Sequence, residues 1–524
     1  MKKILFLLII VFITTALISC QSPNTVPFVA MDKTNEESLN FKIEKIILSK
    51  GFQSTDPNVE ILKKNNSLKL LASLGIVESS GINIDKITKS GNDINIYINR
   101  LLDDDKIQLS VPQILIEVPE LDMEKTKNLN FNIVNQNYEP IYLKFNKKQI
   151  LNNIYSKFKV SPSTTPNVTL TKSDDNIFWN VSFQNIYDKE NYKSPLINFN
   201  VKVDASTGEI LDSKKDDISS YIDNGYILDC IPNNYILYKK QDVQKDNEFE
   251  TLWVYDLNTK EKSKIYTSKN KIQSALFSTE NNYISILEVD ENMSDLYIVQ
   301  QEDKIAYKIT PTNYLETKLI KWKNDNNLYF INVGENRSTL LSYNIENNDY
   351  RQILTVDFRI VDFDIIGDHF VFVEEEKELN DKKIFMTKNG VDFKEIGTGY
   401  KTKFLNPNHL IYLKHLEKED KNILRIYNME DGSLKDLDYN IANYSILNEN
   451  SLVFVEKNTC NNDYILYRYN TEEDYVLPIA NINNEKIYYE QSNNKGYISA
   501  SPNSEINDSS IIYSVNLGKI SIVE

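Results

Sequence analysis

The chain has 524 residues, with 59 basic and 75 acidic side chains, a formal net charge of −16 and 41% apolar residues. That length exceeds a single compact core and points to about two to four domains. The acidic balance, with no dense Lys/Arg face, excludes a phosphate-neutralising nucleic-acid binder and electrostatic adhesion to anionic lipid. Tyrosine (32) and phenylalanine (22) outnumber glycine and proline (14 each), and Ile/Tyr-rich runs alternate with Asn, Asp and Lys. This pattern predicts a mainly β fold. Arginine occurs only six times, and the wealth of Lys, Asn and Ile reflects compositional skew, so counts of Lys or Asn carry no functional weight.

At the start of the chain, Lys2 and Lys3 precede the apolar run "ILFLLIIVFITTALIS", which ends at Cys20. A short basic head on such a run predicts a secretory signal over residues 1–20. The stretch Leu17 to Cys20, "LISC", resembles the bacterial lipobox. That resemblance implies cleavage before Cys20, diacylation of its thiol and a lipid anchor on the extracytoplasmic face of the cell membrane. No later apolar stretch is long enough to span a bilayer. Residues 21–40 carry two Pro and little periodicity and read as a flexible tether. Cys230 and Cys460 fall in non-neighbouring repeats and are expected to be free or buried thiols, without metal-ligand spacing.

Residues 41–146 read as a β-rich α+β module. A helix is expected around "NVEILKKNNSLKLLASLG", with Leu62, Leu68, Leu70, Leu71 and Leu74 on one face. Strands follow in "INIDKITKS" and "DINIYINRLL", joined through Gly91-Asn92, and again in "IQLSVPQILIEVP". Residues 147–216 differ. "KKQILNNIYSKF" is an amphipathic helix with Ile150, Ile154, Tyr155 and Phe158 on one side. The segments "NIFWNVSFQNI" and "INFNVKVDASTGEILDSK" are strands, the second turning at Asp204-Ala205-Ser206-Thr207-Gly208. Here Gly208 supplies a positive φ and Asp204 bonds the turn backbone. A helix against such strands, with "W-x-V-x-F" and "V-x-V-D-A-x-T-G-E-I-L", resembles the PepSY family. The resemblance implies a module that binds or restrains peptidases at the cell surface.

The remainder, 217–524, is periodic. Apolar strands ending in polar turns begin at Leu252, Leu296, Leu340, Ile384, Leu424, Leu466 and Ile511, in steps of 44, 44, 44, 40, 42 and 45 residues. About fifteen residues before each stands a strongly apolar strand, such as "YISILEV" or "HFVFVEE". A weaker inner strand precedes that one, and a closing outer strand such as "KIYT" follows the anchor. Periods of 40–50 in a β-rich chain indicate propeller blades, and four strands in seven units predict a seven-bladed β-propeller. Because "KISIVE" supplies a last outer strand, no strand exchange between first and last blades is expected. The blade style "L-Y-x-Y-D/N-x" followed by "K-I-x-x-I/L-T" resembles TolB and prolyl-oligopeptidase propellers.

No G-x-S-x-G elbow occurs in the chain. His369 and His409 hold equivalent blade positions and read as strand-capping turn residues. Arg337, Arg351, Arg359, Arg425 and Arg468 are scattered rather than clustered. No catalytic set, cofactor site or metal site is read from the sequence. Asp242, Asp246, Asp290, Glu374 and Asp420 fall in second-to-third strand loops, where they would form an acidic rim for a cationic partner. The reading is a lipid-anchored binding or scaffold protein whose propeller presents a face to a protein, peptide or glycan. The alternatives are a cell-wall hydrolase with carboxylates in the propeller channel, or a PepSY-type regulator of a surface peptidase.

Overall fold

The computed structural model describes residues 36–64, 67–103, 105–121, 128–160, 165–174, 176–188, 190–191, 193–244, 247–290, 293–309, 317–375, 382–457, 464–500 and 510–520. The expected signal segment with Cys20, most of the expected tether, Asp246 and Cys460 lie outside them. Among the described residues no helix is long and apolar enough to cross a membrane. The chain forms two compact units. One comprises residues up to Lys159 with Val168–Val181 and Val201–Asp212. The other comprises Val160–Asn167, Ser182–Asn200 and everything from Ser213.

The first unit contains two sheets around one core. In one, Glu37–Leu39, Gly81–Ser90, Asp93–Leu101 and Asn130–Asn135 lie side by side. In the other, the order is Lys42–Ser49, Gln108–Glu117, Ser67–Ser73 and Asn58–Lys64. Every second residue of Asp93–Leu101 points inward, so Ile94, Ile96 and Ile98 are fully buried against Leu70, Ala72, Ile114 and Ile116.

Two expectations fail here. The segment read as a helix is a hairpin, Asn58–Lys64 paired antiparallel with Ser67–Ser73. Leu70, Ala72 and Leu74 are buried at a spacing of two, so pairing with Gln108–Glu117 overrides helical spacing. The tether also ends sooner than expected, because Glu37–Leu39 pairs with Ile87–Lys89 and buries Leu39.

The helix Lys147–Phe158 starts at a reciprocal cap, with Asn146 Oδ1 accepting from Gln149 N (3.0 Å) and Gln149 Oε1 from Asn146 N (2.9 Å). It buries Ile150 and Ile154. A sheet follows in the order Asn167–Ser173, Asn176–Tyr187, Leu196–Asp204, Ile210–Asp217. Trp179 is fully buried, donates to the Phe145 carbonyl (3.0 Å) and meets the Phe52 ring edge-on. The turn behaves as its residues demand. Asp204 Oδ1 accepts from Ser206 N and Thr207 N (both 2.8 Å), and Gly208 adopts φ +75°. A Cβ at Gly208 would lie 3.1 Å from the Phe145 ring.

From Ser219 to Asn516 the described residues form seven four-stranded antiparallel sheets of propeller type. The inner strands of the first six are Tyr226–Ile231, Lys271–Phe277, Thr317–Asn324, Ile360–Ile366, Tyr400–Asn406 and Ile441–Asn448; Tyr488–Glu490 is that of the seventh. All seven periodic anchors fall in third strands. The second strands are apolar on both faces because each is sandwiched. Leu328 and Phe330 pack toward the second sheet, while Tyr329, Ile331 and Val333 pack toward the fourth. Seven such cores join each sheet to the next, and the seventh to the first. Each buried Leu or Ile contributes about 1.5–3 kcal/mol.

The ring closes by strand exchange, contrary to the expectation from "KISIVE". Ser219–Asn224 is the outer strand of the seventh sheet, paired antiparallel with Ile511–Asn516. After Asn516 the chain turns, with Asn516 Oδ1 accepting from Gly518 N, so Leu517–Lys519 form a 3-10 turn instead of a strand. Ile222 of the closing strand packs with Ile227, Ile236 and Tyr238 of the first sheet.

Asp223 adds a polar clasp. It accepts from Tyr238 Oη (2.7 Å) and pairs with Lys240 (2.5 Å) and Lys262 (3.4 Å). Burial opposes its ionisation, but the Lys240 and Tyr238 hydrogen bonds and the Lys240 charge outweigh it and hold the carboxyl below its ordinary value. A depressed carboxyl contributes fully above its unfolded value, and that contribution is lost as pH falls through the folded one. Asp223→Asn is therefore expected to destabilise the protein at pH 7 by roughly 1–3 kcal/mol, the gap closing below about pH 4. Urea midpoints at both pH values check this; an equal gap at both would leave the clasp without an ionic role.

Candidate functional site

The inner strands share a device. A register shift interrupts each of the first six near its start, between Ile227/Asp229, Ile272/Ser274, Thr317/Leu319, Ile360/Asp362, Tyr400/Lys403 and Ile441/Asn443. Bulges re-aim side chains, and inner strands have a free edge whose N–H groups need acceptors. Carboxylates of the preceding sheet supply several of them. Asp229 Oδ2 accepts from Phe277 N (3.0 Å), Asp362 Oδ2 from Thr402 N (2.8 Å) and Asp364 Oδ2 from Phe404 N (2.9 Å).

Two lysines share this interior. Lys321 Nζ lies 3.3 Å from Asp364 Oδ1, and Lys403 stands on the next inner strand. Burial raises the carboxyls of Asp229 and Asp362 above their ordinary value, against partial relief from backbone donors and lysine charge. Burial also opposes the charge of Lys321, but Asp364 and Asp362 outweigh it and raise its value. Burial, then the Lys321 charge, lowers Lys403. Lys321 and Asp364 nonetheless keep 32% and 16% of their side-chain surface accessible, so water reaches this interior and screens its charges.

A second feature lies at the turn ends of the first three sheets. An open cleft of about 920 Å³ runs between the turns at Asn234–Tyr235, Glu280–Tyr283, Gln300–Glu302 and Asn324–Asn326. Asp325 fixes its floor by accepting from Glu280 N (2.8 Å) and the Asn282 amide. Tyr283 stacks on Trp322 at 6.5 Å. Asn281 Oδ1 and Gln301 Oε1 are buried there with no protein hydrogen-bond partner. Among the described residues lining the cleft, Glu280, Glu302 and Asp325 are acidic and none is Lys or Arg.

Of the five acidic residues singled out from sequence, four are described. Asp242 accepts from Thr251 Oγ1 within its own hairpin (3.2 Å). Asp290 and Asp420 are exposed, and Glu374 ends its strand opposite Ile360. No hydrogen bond or ion pair joins any two of these four, and among the described residues no group of acids, His or Cys could hold a metal. His369 and His409 open equivalent second strands, where Nδ1 of His369 lies 3.1 Å from Asp368 and that of His409 3.1 Å from Asn406 Oδ1. Cys230 is free, and burial pushes its thiol well above the ordinary range. Sequence reasoning missed Asp229, Lys321, Asp362, Asp364 and Lys403. Their one signal is a charge inside an otherwise apolar inner-strand pattern, as in "RIVDFDI" and "TKLIKWK".

Asp364 can be dissected by substitution. Asp364→Ala removes the acceptor of Phe404 N and the partner of Lys321, and is expected to cost about 1–3 kcal/mol in urea unfolding. Asp364→Asn keeps an acceptor and is expected to cost less than half as much; equal losses would show that the backbone bond is not its main role.

No protein-family model matches the chain, and no curated protein matches it. Solved structures resemble it at low identity. They include an oligogalacturonate lyase from Vibrio parahaemolyticus, 11% identical, with 61% of this chain and 97% of that one covered and a TM-score of 0.45. The β-propeller domain of the Trilobed protease from Pyrococcus furiosus is 13% identical, covering 58% and 92% with a TM-score of 0.36. TolB from Acinetobacter baumannii is 9% identical, covering 66% and 87% with a TM-score of 0.33.

Proposed function

We propose that this is a lipid-anchored, extracytoplasmic binding protein. In this reading Cys20 carries the lipid, residues 147–216 are a PepSY-like module, and residues 217–524 are a seven-bladed propeller of TolB/prolyl-oligopeptidase type. The turn-end cleft takes a glycan that is neutral or bears amino groups. The cleft itself carries the reading: it is wide, open and lined by amides and carboxylates around Tyr235 and Tyr283. Amide and carboxylate groups match sugar hydroxyls in both directions, and tyrosine rings match the C–H faces of a pyranose. Acids without bases disfavour an anionic polymer. The interior carboxylates that hydrolysis would require are engaged on backbone N–H groups, which favours binding over reaction.

Titration of the full chain with tetrasaccharides of N-acetylglucosamine and of glucosamine tests the cleft. Binding of either is expected, weakened about tenfold by Tyr283→Ala or Asn282→Ala. Silence from both sugars, or indifference to both substitutions, would reject it. For the anchor, Cys20→Ser is expected to move the protein from the membrane fraction to the soluble one; retention on the membrane would refute lipidation.

A further inference from the structure

A smaller cavity, about 380 Å³, lies at the opposite end of the ring from the cleft, where the inner strands of the fourth, fifth and sixth sheets begin. Its charged lining is unlike the rest of this acidic protein. Lys382, Lys401 and Lys403 face it with one carboxylate, Asp362. That carboxylate is already engaged, since Oδ2 accepts from both Thr402 N (2.8 Å) and Thr402 Oγ1 (3.3 Å).

The lysines are poorly matched by the protein. Among the described residues, no hydrogen bond or ion pair engages the ammonium of Lys403 or of Lys382. Lys401 Nζ reaches only neutral acceptors, Asn443 Oδ1 (3.2 Å) and the Ala442 carbonyl (3.4 Å). Burial lowers the values of Lys401 and Lys403, against partial relief from the carboxylates of Glu485 and Asp362 at Lys401 and of Asp364, Asp362 and Asp229 at Lys403.

The backbone is shaped to hold them there. Lys401 adopts φ +51° inside the bulge between Tyr400 and Lys403, a left-handed conformation that a non-glycine residue takes at a cost of about 1 kcal/mol or more. Tyr444 secures the bend by donating to the Lys401 carbonyl and, at 3.2 Å, to that of Ile411. A strained segment, three lysines and a partly open cavity coincide at one place.

We propose that this cavity binds the anionic oxygens of a small ligand, a carboxylate or a phosphate, between Lys382, Lys401 and Lys403. Its volume suits a molecule the size of a monosaccharide or an amino acid. Asn443 stands beside the ammonium groups to orient a neutral part of the ligand. The site is separate from the turn-end cleft and does not depend on what that cleft takes.

Calorimetric titration of the full chain with inorganic phosphate and, separately, with glucuronate tests the proposal. At least one is expected to bind. Lys403→Met and Lys382→Met should each weaken it about tenfold or more, while Lys403→Arg stays within about threefold of the parent. Tyr283→Ala, in the other cleft, should leave it unchanged. Binding of phosphate alone assigns a phosphate-bearing ligand, and binding of glucuronate alone a carboxylate. If Lys403→Met melts below the parent, Lys382→Met, just ahead of its strand, carries the test. Absence of binding by both anions, or affinity unchanged from the parent in both Met variants, would overturn the proposal.

Discussion

The second strand of each sheet must bury both of its faces. In a strand such as Asn327–Val333, alternate side chains point to opposite sides, and neither side carries enough polar groups to meet water. One sheet alone cannot satisfy this, and two stacked sheets leave two outer faces bare. Successive sheets sandwiched in a closed ring satisfy every face. The rest of the architecture is subordinate to that requirement: polar residues are pushed to the turns, the outer edges and the inner strands.

The inner strands then face a problem of their own. Their free edges look into a wet but enclosed space, where unbonded N–H groups would be costly. Bulges and aspartates solve it together, with Asp229, Asp362 and Asp364 reaching across to the next strand's donors. Placing carboxylates inside invites lysines to balance them, and Lys321 does so for Asp364. At the fourth to sixth sheets the balance tips to positive, and that local surplus distinguishes the smaller cavity from the acid-lined cleft at the other end.

How much of this was legible depended on the range of the interaction. The third-strand anchors and the apolar second strands announced themselves, because alternation and Asn/Asp turns are local and recur at a steady period. The turn at Asp204–Gly208 was readable for the same reason. The hairpin Asn58–Ser73 was not, since its leucines fit spacings of two and of four alike and pairing with Gln108–Glu117 decided between them. The interior charges were visible only as isolated interruptions of apolar strands. Their meeting requires strands about 40 residues apart in sequence and a bulge that no residue type advertises. The acidic residues drew attention because they fall in second-to-third strand loops, yet among the four that are described no hydrogen bond or ion pair joins any two.

The exchange of Ser219–Asn224 into the seventh sheet places the seal of the ring between segments about 300 residues apart. During synthesis from the N-terminus, that strand emerges first and waits, edge unpaired, until Ile511–Asn516 appears near the far end of the chain. Every intermediate length therefore presents an open ring with two adhesive edges, and local contacts cannot hurry the final pairing. The sheets can assemble one by one, but the circle is finished by the last strand to arrive. A chain cut short by a few tens of residues would lose the partner of its own first blade strand along with its last, and would stay open at both ends.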